Sequence, residues 1–212
     1  MTVLSLNIRS ISGKYDNLLI FLHTRDYTIS IIMITETWLR EDRVDLYPID
    51  GYNQFAICRK SRGGGLLMYV HRSIEVSLVP SLTKISNACE SLFVKFNINN
   101  ASHYAGVVYR SPNRPIADFI SAFDKLCISL PKNDCIIGGD FNINLLDKVS
   151  YSGVHFITGM SNHNLKPMIP NPTRVTHSSE TLIDHIWSSM NNEFQSFVIT
   201  EPVSDHFPTL LI

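Results

Sequence analysis

Ile31-Ile32-Met33-Ile34-Thr35-Glu36 is the segment most informative about the fold, because it is a short strand-like run with apolar side chains at consecutive positions. Side chains alternate between the two faces of a strand, so this run is apolar on both faces and predicts a sheet covered on both sides. Similar short apolar runs recur along the chain and predict further strands. They are Val3 to Ile8, Ser30 to Thr35, Gly65 to Val70, Leu92 to Phe96, Ala105 to Tyr109, Asp134 to Ile137, Leu182 to Trp187, Phe197 to Thr200 and Phe207 to Leu211.

Helical patterns interrupt these strands. Tyr15 to Thr24 and Ile116 to Leu130 carry apolar side chains at helical spacing, and Pro115 suits the first turn of the second helix. Gly153 to Met160 is a third, weaker pattern. Strands interleaved with helices predict an α/β layered sandwich, and 212 residues suit one domain. Because a strand-like pattern begins at the first residues of the sequence, we expect a domain excised from a longer polyprotein.

Composition narrows the classes of protein to consider. The chain is 44% hydrophobic and 17% charged, and no apolar run approaches a bilayer span, so we expect a soluble protein without membrane contact. The four cysteines form no C-x-x-C pair, and buried free thiols in a reducing, intracellular compartment fit them better than zinc ligands or disulfides. The net charge of −1 lacks the basic excess of many DNA binders, so any DNA contact must use a local basic face or a metal ion.

Acidic, amide and histidine side chains cluster at the ends of the predicted strands. They are Asn7, Glu36, Asp140, Asn142, Asp205 and His206. In layered α/β proteins the loops at strand ends converge on one crevice. These six side chains could therefore form one site.

Their chemistry suits phosphodiester hydrolysis, which needs a hard cation, a base that orients water and donors for extra negative charge. Glu36 offers a carboxylate for Mg²⁺, and Asn7 offers a neutral oxygen or a water-mediated ligand. Asp140 could hold the attacking water, while Asn142 and His206 could donate hydrogen bonds to the phosphate.

His206 has a candidate partner in Asp184, which could fix the tautomer and orientation of the imidazole. Taken singly, each of these residues has an ordinary interpretation as a strand-end turn, a solvated carboxylate or, for His185, a core histidine. Their joint arrangement favours a catalytic site.

The same stretches, taken in order, resemble the endonuclease/exonuclease/phosphatase superfamily. The matching motifs are Leu6-Asn7-Ile8, Thr35-Glu36-Thr37-Trp38, Tyr109-Arg110-Ser111-Pro112-Asn113, Gly139-Asp140-Phe141-Asn142, Ile183-Asp184-His185-Ile186 and Ser204-Asp205-His206-Phe207-Pro208. Within the superfamily, the stretches 36–39, 109–113 and 171–174 look like the endonuclease domain of a non-LTR (LINE-type) retrotransposon. The resemblance implies a four-layer α/β sandwich with two packed mixed β-sheets flanked by helices.

The resemblance also implies a role for each residue of the site. The implied ligands of the metal ion, Mg²⁺ or alternatively Mn²⁺, are Glu36, Asn7 and Asp205. The implied catalytic residues are Asp140, His206, Asn142, Tyr109 and Asp184. Asp140 would orient the water, Tyr109 would contact the scissile phosphate, and Asp184 would orient His206.

Double-stranded DNA is the implied substrate. The predicted DNA contacts are Arg110, Arg114, Thr173 and Arg174. The stretch Thr176 to Thr181 resembles the variable hairpin that enters the DNA groove in these endonucleases. Arg9 departs from the family pattern, since many relatives carry Asp or Asn there. Arg59-Lys60-Ser61-Arg62 is either a charged hairpin turn or a phosphate contact.

Three functions are compatible with these residues. The first is a DNA endonuclease that nicks one strand and leaves a 3′-hydroxyl as primer for target-primed reverse transcription, alongside a reverse transcriptase domain and in the nucleus at the time of action. The second is a phosphatase or phospholipase of the same fold that acts on inositol phosphates or sphingomyelin. The third is an inactive relative that only binds nucleic acid or protein.

Overall fold

A computed structural model describes residues 1–99, 101–131, 134–191, 193–201 and 203–212. The helices in these ranges are α1 (Tyr15–His23), α2 (Ile116–Ile128) and α3 (Tyr151–Asn162), and short 3₁₀ turns occupy Ile11–Gly13, Glu41–Leu46 and Pro80–Leu82. The strands are β1 (Val3–Asn7), β2 (Ile31–Thr35), β3 (Tyr52–Ile57), β4 (Leu66–His71), β5 (Glu75–Leu78), β6 (Lys84–Ile85), β7 (Glu90–Ile98), β8 (Ala101–Tyr109), β9 (Cys135–Asp140), β10 (Lys166–Pro167), β11 (Arg174–Val175), β12 (Glu180–Thr181), β13 (Asp184–Ser188), β14 (Ser196–Val198) and β15 (Thr209–Leu211).

The strands form two mixed sheets and one small hairpin. The first sheet has the order β14-β15-β1-β2-β4-β3, and the second has the order β10-β13-β9-β8-β7-β5 with β6 also paired to β7. Strands β1 and β2 run parallel, as do β8 and β9, and the other pairs are antiparallel. Strands β11 and β12 pair with each other as a separate hairpin.

Three hydrophobic clusters separate four layers. In β2, Ile31 and Met33 face a central cluster shared with the second sheet, whereas Ile32 and Ile34 face a cluster that includes Leu18 of α1. On the second sheet, Phe93 of β7 and Cys135 and Ile137 of β9 belong to a cluster with side chains of α2 and α3. The order is therefore α1, first sheet, second sheet, then α2 with α3, which confirms the predicted four-layer sandwich.

Most predicted elements are present, with small shifts at their ends. Helix α2 ends two residues before the predicted Leu130, and α3 extends beyond the predicted stretch at both ends. Strands β3 and β5 were not predicted. The side chains of β3 are all half-buried, and β5 is mostly exposed at a sheet edge, so neither carries the apolar run that identifies a covered strand.

The structure bears on two predictions from composition. All four cysteines are free, and three of them are buried. Within the described ranges, the helices are too short and too polar to cross a bilayer.

Candidate active site

The predicted site residues meet at one edge of the two sheets, because each lies at or beside a strand end. Asn7 ends β1 and Glu36 follows β2, its parallel neighbour in the first sheet. In the second sheet, Tyr109 ends β8 and pairs with Asp140, the last residue of β9. Asp184 pairs with Asp140 from the other side.

An amide hydrogen-bond bridge joins the edges of the two sheets. The Nδ2 of Asn7 donates to Glu36 Oε1 at 2.9 Å and to Asp140 Oδ2 at 2.8 Å. Its Oδ1 accepts from the Arg9 backbone N–H at 3.1 Å. Asn7 therefore presents nitrogen to the carboxylates, and it would have to turn its amide over to serve as the predicted oxygen ligand of a metal ion.

His206 is held in one orientation by Asp184. Its Nδ1 lies 2.8 Å from Asp184 Oδ2, and both side chains are almost fully buried. This is the predicted pair. With Nδ1 engaged, Nε2 is the ring nitrogen available to a substrate.

Thr173 extends this pair. Its hydroxyl donates to Asp184 Oδ2 at 2.8 Å and accepts the backbone N–H of Asp184 at 3.1 Å. The residue is 0% exposed, so its side chain supports the Asp184–His206 pair in this structure, and its DNA contact stays a prediction. Thr173 also precedes the β11–β12 hairpin, and its carbonyl accepts the Phe207 N–H at 2.7 Å.

Burial and like charge perturb the acid–base groups of the site. Burial raises the pKa of Asp140, and the Asp184 carboxylate raises it further, against the opposing effect of His206. Burial lowers the pKa of His206, but the hydrogen bond and charge of Asp184, together with the charges of Asp140 and Asp205, outweigh burial and leave it raised. Asp140 is thus a stronger base than an ordinary carboxylate, and His206 favours its protonated, donating form.

Two groups of side chains could hold a divalent cation. Asp140, Asp184 and His206 each place one donor atom within 4.8 Å of the others. In that group Asp184 Oδ2 already accepts from Thr173 and His206. Glu36 and Asp140 both accept from the amide nitrogen of Asn7, so their carboxylates lie close to each other. Of the two, Glu36 is only half-buried. This oxygen-rich side fits Mg²⁺ better, since Mg²⁺ keeps several waters.

Positive φ angles shape the loops around these groups. Such angles are uncommon outside glycine and concentrate at functional sites. The non-glycine residues concerned here are Arg9 (43°), Ser10 (76°), Glu36 (53°), Trp38 (55°) and Asn142 (50°). In β9, Gly139 has φ 138°, and a side chain there would overlap the Val108 carbonyl oxygen, so glycine is required beside Asp140.

Arg110 fastens the Tyr109 loop to the Asp140 loop. It is 3% exposed, and its guanidinium donates to four backbone carbonyls. They are those of Phe141 at 2.7 Å, Ser111 at 3.3 Å, Arg114 at 2.7 Å and Asn142 at 2.6 Å. These bonds engage the guanidinium in the fold of the two loops, and the DNA contact of Arg110 stays a prediction.

Asn142 completes this junction. Its backbone N–H donates to Asp140 Oδ1 at 2.9 Å, and its Nδ2 donates to the Arg110 carbonyl at 2.8 Å. The Nδ2 group has a second hydrogen, which remains available for the predicted hydrogen bond to a phosphate.

Arginines line the rim of the site. Asp205 Oδ2 accepts from Arg9 at 2.6 Å and from Arg174 at 3.0 Å, and all three side chains are 38 to 45% exposed. The two guanidinium groups leave Asp205 with Oδ1 for its predicted role at the metal ion. Arg114 is exposed beyond the Tyr109 loop, where it could reach DNA.

Trp38 contacts the site, although the sequence predicted no role for it there. Its indole Nε1 donates to Glu36 Oε2 at 3.1 Å, so both oxygens of that carboxylate accept hydrogen bonds. Trp38 belongs to the Thr35-Glu36-Thr37-Trp38 motif, and its place in that motif was the sequence signal that could have identified it. His185, by contrast, is a core residue, since burial lowers its pKa to about 4 and its ring stacks on Phe141.

Comparisons with known proteins agree with this geometry. Residues 4–206 match the model of a family described as the Endonuclease/Exonuclease/phosphatase family. No curated protein sequence matches the chain.

Solved structures share the fold at low sequence identity. The endonuclease domain of TRAS1, a telomere-specific non-LTR retrotransposon, has a TM-score of 0.78 and 16% identity, covering 99% of this chain and 96% of that one. The catalytic domain of Xenopus laevis APE2 has a TM-score of 0.72 and 18% identity, covering 100% and 91%. The 3′ phosphatase NExo from Neisseria, bound to product DNA hairpin, has a TM-score of 0.71 and 14% identity, covering 100% and 98%.

Proposed function

Because the chain belongs to the endonuclease/exonuclease/phosphatase family, whose members are hydrolytic phosphodiesterases or phosphatases, we propose that it is a divalent-metal-dependent DNA endonuclease. It nicks one strand of a duplex and leaves a 3′-hydroxyl. In the full polyprotein this end primes reverse transcription by a neighbouring reverse transcriptase domain, and the reaction takes place in the nucleus. The observation that carries the proposal is the hydrogen-bonded group of Glu36, Asn7, Asp140, Asp184 and His206.

The side chains of this group divide the reaction between them. Asp140 holds the water and accepts its proton as the oxygen attacks phosphorus, and the bond from phosphorus to the 3′ oxygen breaks. His206, oriented by Asp184, donates to a phosphate oxygen as negative charge develops there. The 3′ oxygen takes up a proton from solvent water and leaves as the hydroxyl, and Asp140 returns the proton it accepted to solvent.

Binding of the phosphate involves two further groups. Tyr109 ends the strand that pairs with Asp140, and we infer that its hydroxyl binds the scissile phosphate. A divalent cation at Glu36 and Asp140 would neutralise charge on the phosphate and on the leaving oxygen.

A DNA substrate is favoured by the surroundings of the site. Arg174 begins the β11–β12 hairpin and pairs with Asp205 next to His206, so the hairpin starts at the catalytic group. Arg9 and Arg114 add positive charge along the same rim, in a chain whose net charge is only −1. TRAS1 supplies a retrotransposon endonuclease of the same fold, and NExo is described bound to product DNA hairpin.

The test is conversion of supercoiled plasmid to open circle with Mg²⁺ and with EDTA, followed by extension of the nick with a DNA polymerase. We expect Mg²⁺-dependent nicking and ends that the polymerase extends directly, because the 3′ end is a hydroxyl. Intact plasmid together with hydrolysis of an inositol phosphate or sphingomyelin would assign the chain to the alternative function and refute the proposal.

A further inference from the structure

Glu90 is a buried carboxylate that the catalytic scheme above does not use. It is the first residue of β7, it is 0% exposed, and it pairs in register with Tyr109 of β8. A buried carboxylate is costly unless it is paired and hydrogen-bonded, so its partners indicate what it does.

Both partners of Glu90 come from the other sheet. Its Oε2 accepts the backbone N–H of Gly65 at 2.6 Å, just before β4. Its Oε1 forms an ion pair with Nε of Arg59, just after β3. Glu90 therefore links the second sheet to the β3–β4 connection of the first sheet, at the edge that carries the site.

The β3–β4 connection in turn holds the turn that carries Glu36. The carbonyls of Gly65 and Gly64 accept the N–H groups of Thr37 at 3.2 Å and Trp38 at 2.9 Å. Gly64 and Gly65 have φ of 66° and 84°. A side chain at Gly64 would overlap both Glu90 and Arg59, so only glycine lets the three groups approach this closely.

The same ion pair touches the phosphate side of the site. The Arg59 guanidinium carbon lies 5.7 Å from the centre of the Tyr109 ring, which is a cation–π contact. Glu90 and Tyr109 are also opposite each other on adjacent strands. One cluster thus contacts the Glu36 turn and the Tyr109 side chain.

We propose that Glu90 and Arg59 are positioning residues that fix Glu36 on the first sheet relative to Tyr109 on the second. They set where a cation held by Glu36 lies relative to the scissile phosphate. This inference rests on the proposed function for its effect on nicking, but its effect on the Glu36 turn is independent of the substrate. By this inference, the stretch Arg59-Lys60-Ser61-Arg62 is a hairpin connection whose Arg59 positions other residues of the protein.

The experiment compares Glu90→Gln and Arg59→Lys with the wild type and with Leu18→Ala. Glu90→Gln keeps the shape and an acceptor for Gly65 but removes the charge that pairs with Arg59. Leu18 is 0% exposed and packs in the α1 cluster, so Leu18→Ala lowers stability without touching the Glu90 contacts. Melting temperatures establish that each variant folds and how much stability it loses.

Two readouts separate positioning from stability. The first is Mg²⁺ affinity measured by calorimetry without DNA, and the second is the kcat and KM of plasmid nicking. Because a misplacement of about 1 Å can cost about 10²-fold in rate, we expect Glu90→Gln to weaken Mg²⁺ binding and lower kcat by at least ~10-fold, with little change in KM. Arg59→Lys should lie between Glu90→Gln and the wild type.

The kcat of the double variant Glu90→Gln, Tyr109→Phe tests whether Glu90 acts through Tyr109. If Glu90 acts through Tyr109, Glu90→Gln should cost less in kcat when Tyr109→Phe is already present. Glu90→Gln that binds Mg²⁺ and nicks DNA like Leu18→Ala, or that adds fully to Tyr109→Phe, would overturn the inference. Wild-type protein that binds Mg²⁺ but nicks no DNA would remove the proposed function, and Mg²⁺ affinity would then decide the role of Glu90.

Discussion

Replacing Arg110 by Met should destabilise the protein and leave its electrostatic contacts with DNA intact. The side chain is buried, and its guanidinium donates to four carbonyls of the loops after Tyr109 and Asp140. Methionine retains much of the apolar stem but removes every donor. Four carbonyls at the junction, that of Phe141 in a buried hydrogen bond and the others in part-buried ones, then lose their partner.

The size of the effect follows from the contacts. Three of the four hydrogen bonds are 2.6 to 2.7 Å long, and a bond to a charged donor contributes about 1.5 kcal/mol at the low end. We therefore expect the free energy of unfolding to fall by about 3 to 5 kcal/mol. For a chain of this length, that corresponds to a fall in melting temperature on the order of 10 °C.

Urea unfolding measures whether an arginine stabilises the fold, and the salt dependence of DNA binding measures whether it contacts a DNA phosphate. Arg110→Met should lower the urea midpoint and leave the slope of log affinity against log salt unchanged. The exposed Arg114 is the matched control, since Arg114→Ala should leave stability unchanged and reduce that slope by about 1 if it contacts a phosphate. Arg110→Lys, which keeps one charge and fewer donors, should lie between Met and wild type in stability. Unchanged stability of Arg110→Met with a reduced salt slope would refute the structural role.

Three further predictions concern the buried acid–base group. Thr173→Val should lower kcat about tenfold with KM nearly unchanged, because Asp184 loses a hydrogen bond at 2.8 Å. A raised KM with normal kcat would instead indicate a DNA contact. His206→Ala should lower the nicking rate by at least about two orders of magnitude, and an unchanged rate would contradict its role as a donor. Asp140→Asn should raise the melting temperature in EDTA at pH 9 but not at pH 4. The folded-state pKa of Asp140 is raised to about 8, so its protonated form favours the folded state at low pH and that stability is lost as the pH rises through about 8. Equal melting temperatures of the variant and the wild type at pH 9 would contradict this.

The layers and the position of the site could be predicted from the sequence for a physical reason. A strand buried on both faces, such as β2, must be apolar at consecutive positions, and a polar residue at its end must lie where the strand leaves the core. Glu36 and Asp140 were therefore visible as a pair of strand ends. The link between His206 and Asp184 was predicted because a buried carboxylate can orient an imidazole, and the family motifs imply the same pair.

The destinations of individual side chains could not be predicted in the same way. Arg110 and Thr173 are polar residues beside the site, and their types fit a DNA contact as well as a buried anchor. The difference arises from backbone carbonyls and a carboxylate brought together by loops far apart in sequence. The edge strand β3 and the Glu90 ion pair were missed because neither shows an apolar pattern. Strand β3 depends on pairing with β4 in the same sheet, and the Glu90 ion pair depends on a contact between the two sheets.

The catalytic role of Glu36 and Asp140 is tested by the nicking rate of supercoiled plasmid, measured side by side for the wild type, Glu36→Ala and Asp140→Ala. We expect Mg²⁺-dependent nicking by the wild type and none detectable by Asp140→Ala, with far-UV and near-UV circular dichroism unchanged. Glu36→Ala should require much more Mg²⁺ or be inactive at all concentrations. Nicking by a verified Asp140→Ala protein at the wild-type rate would contradict the proposal that this group of residues is the catalytic site.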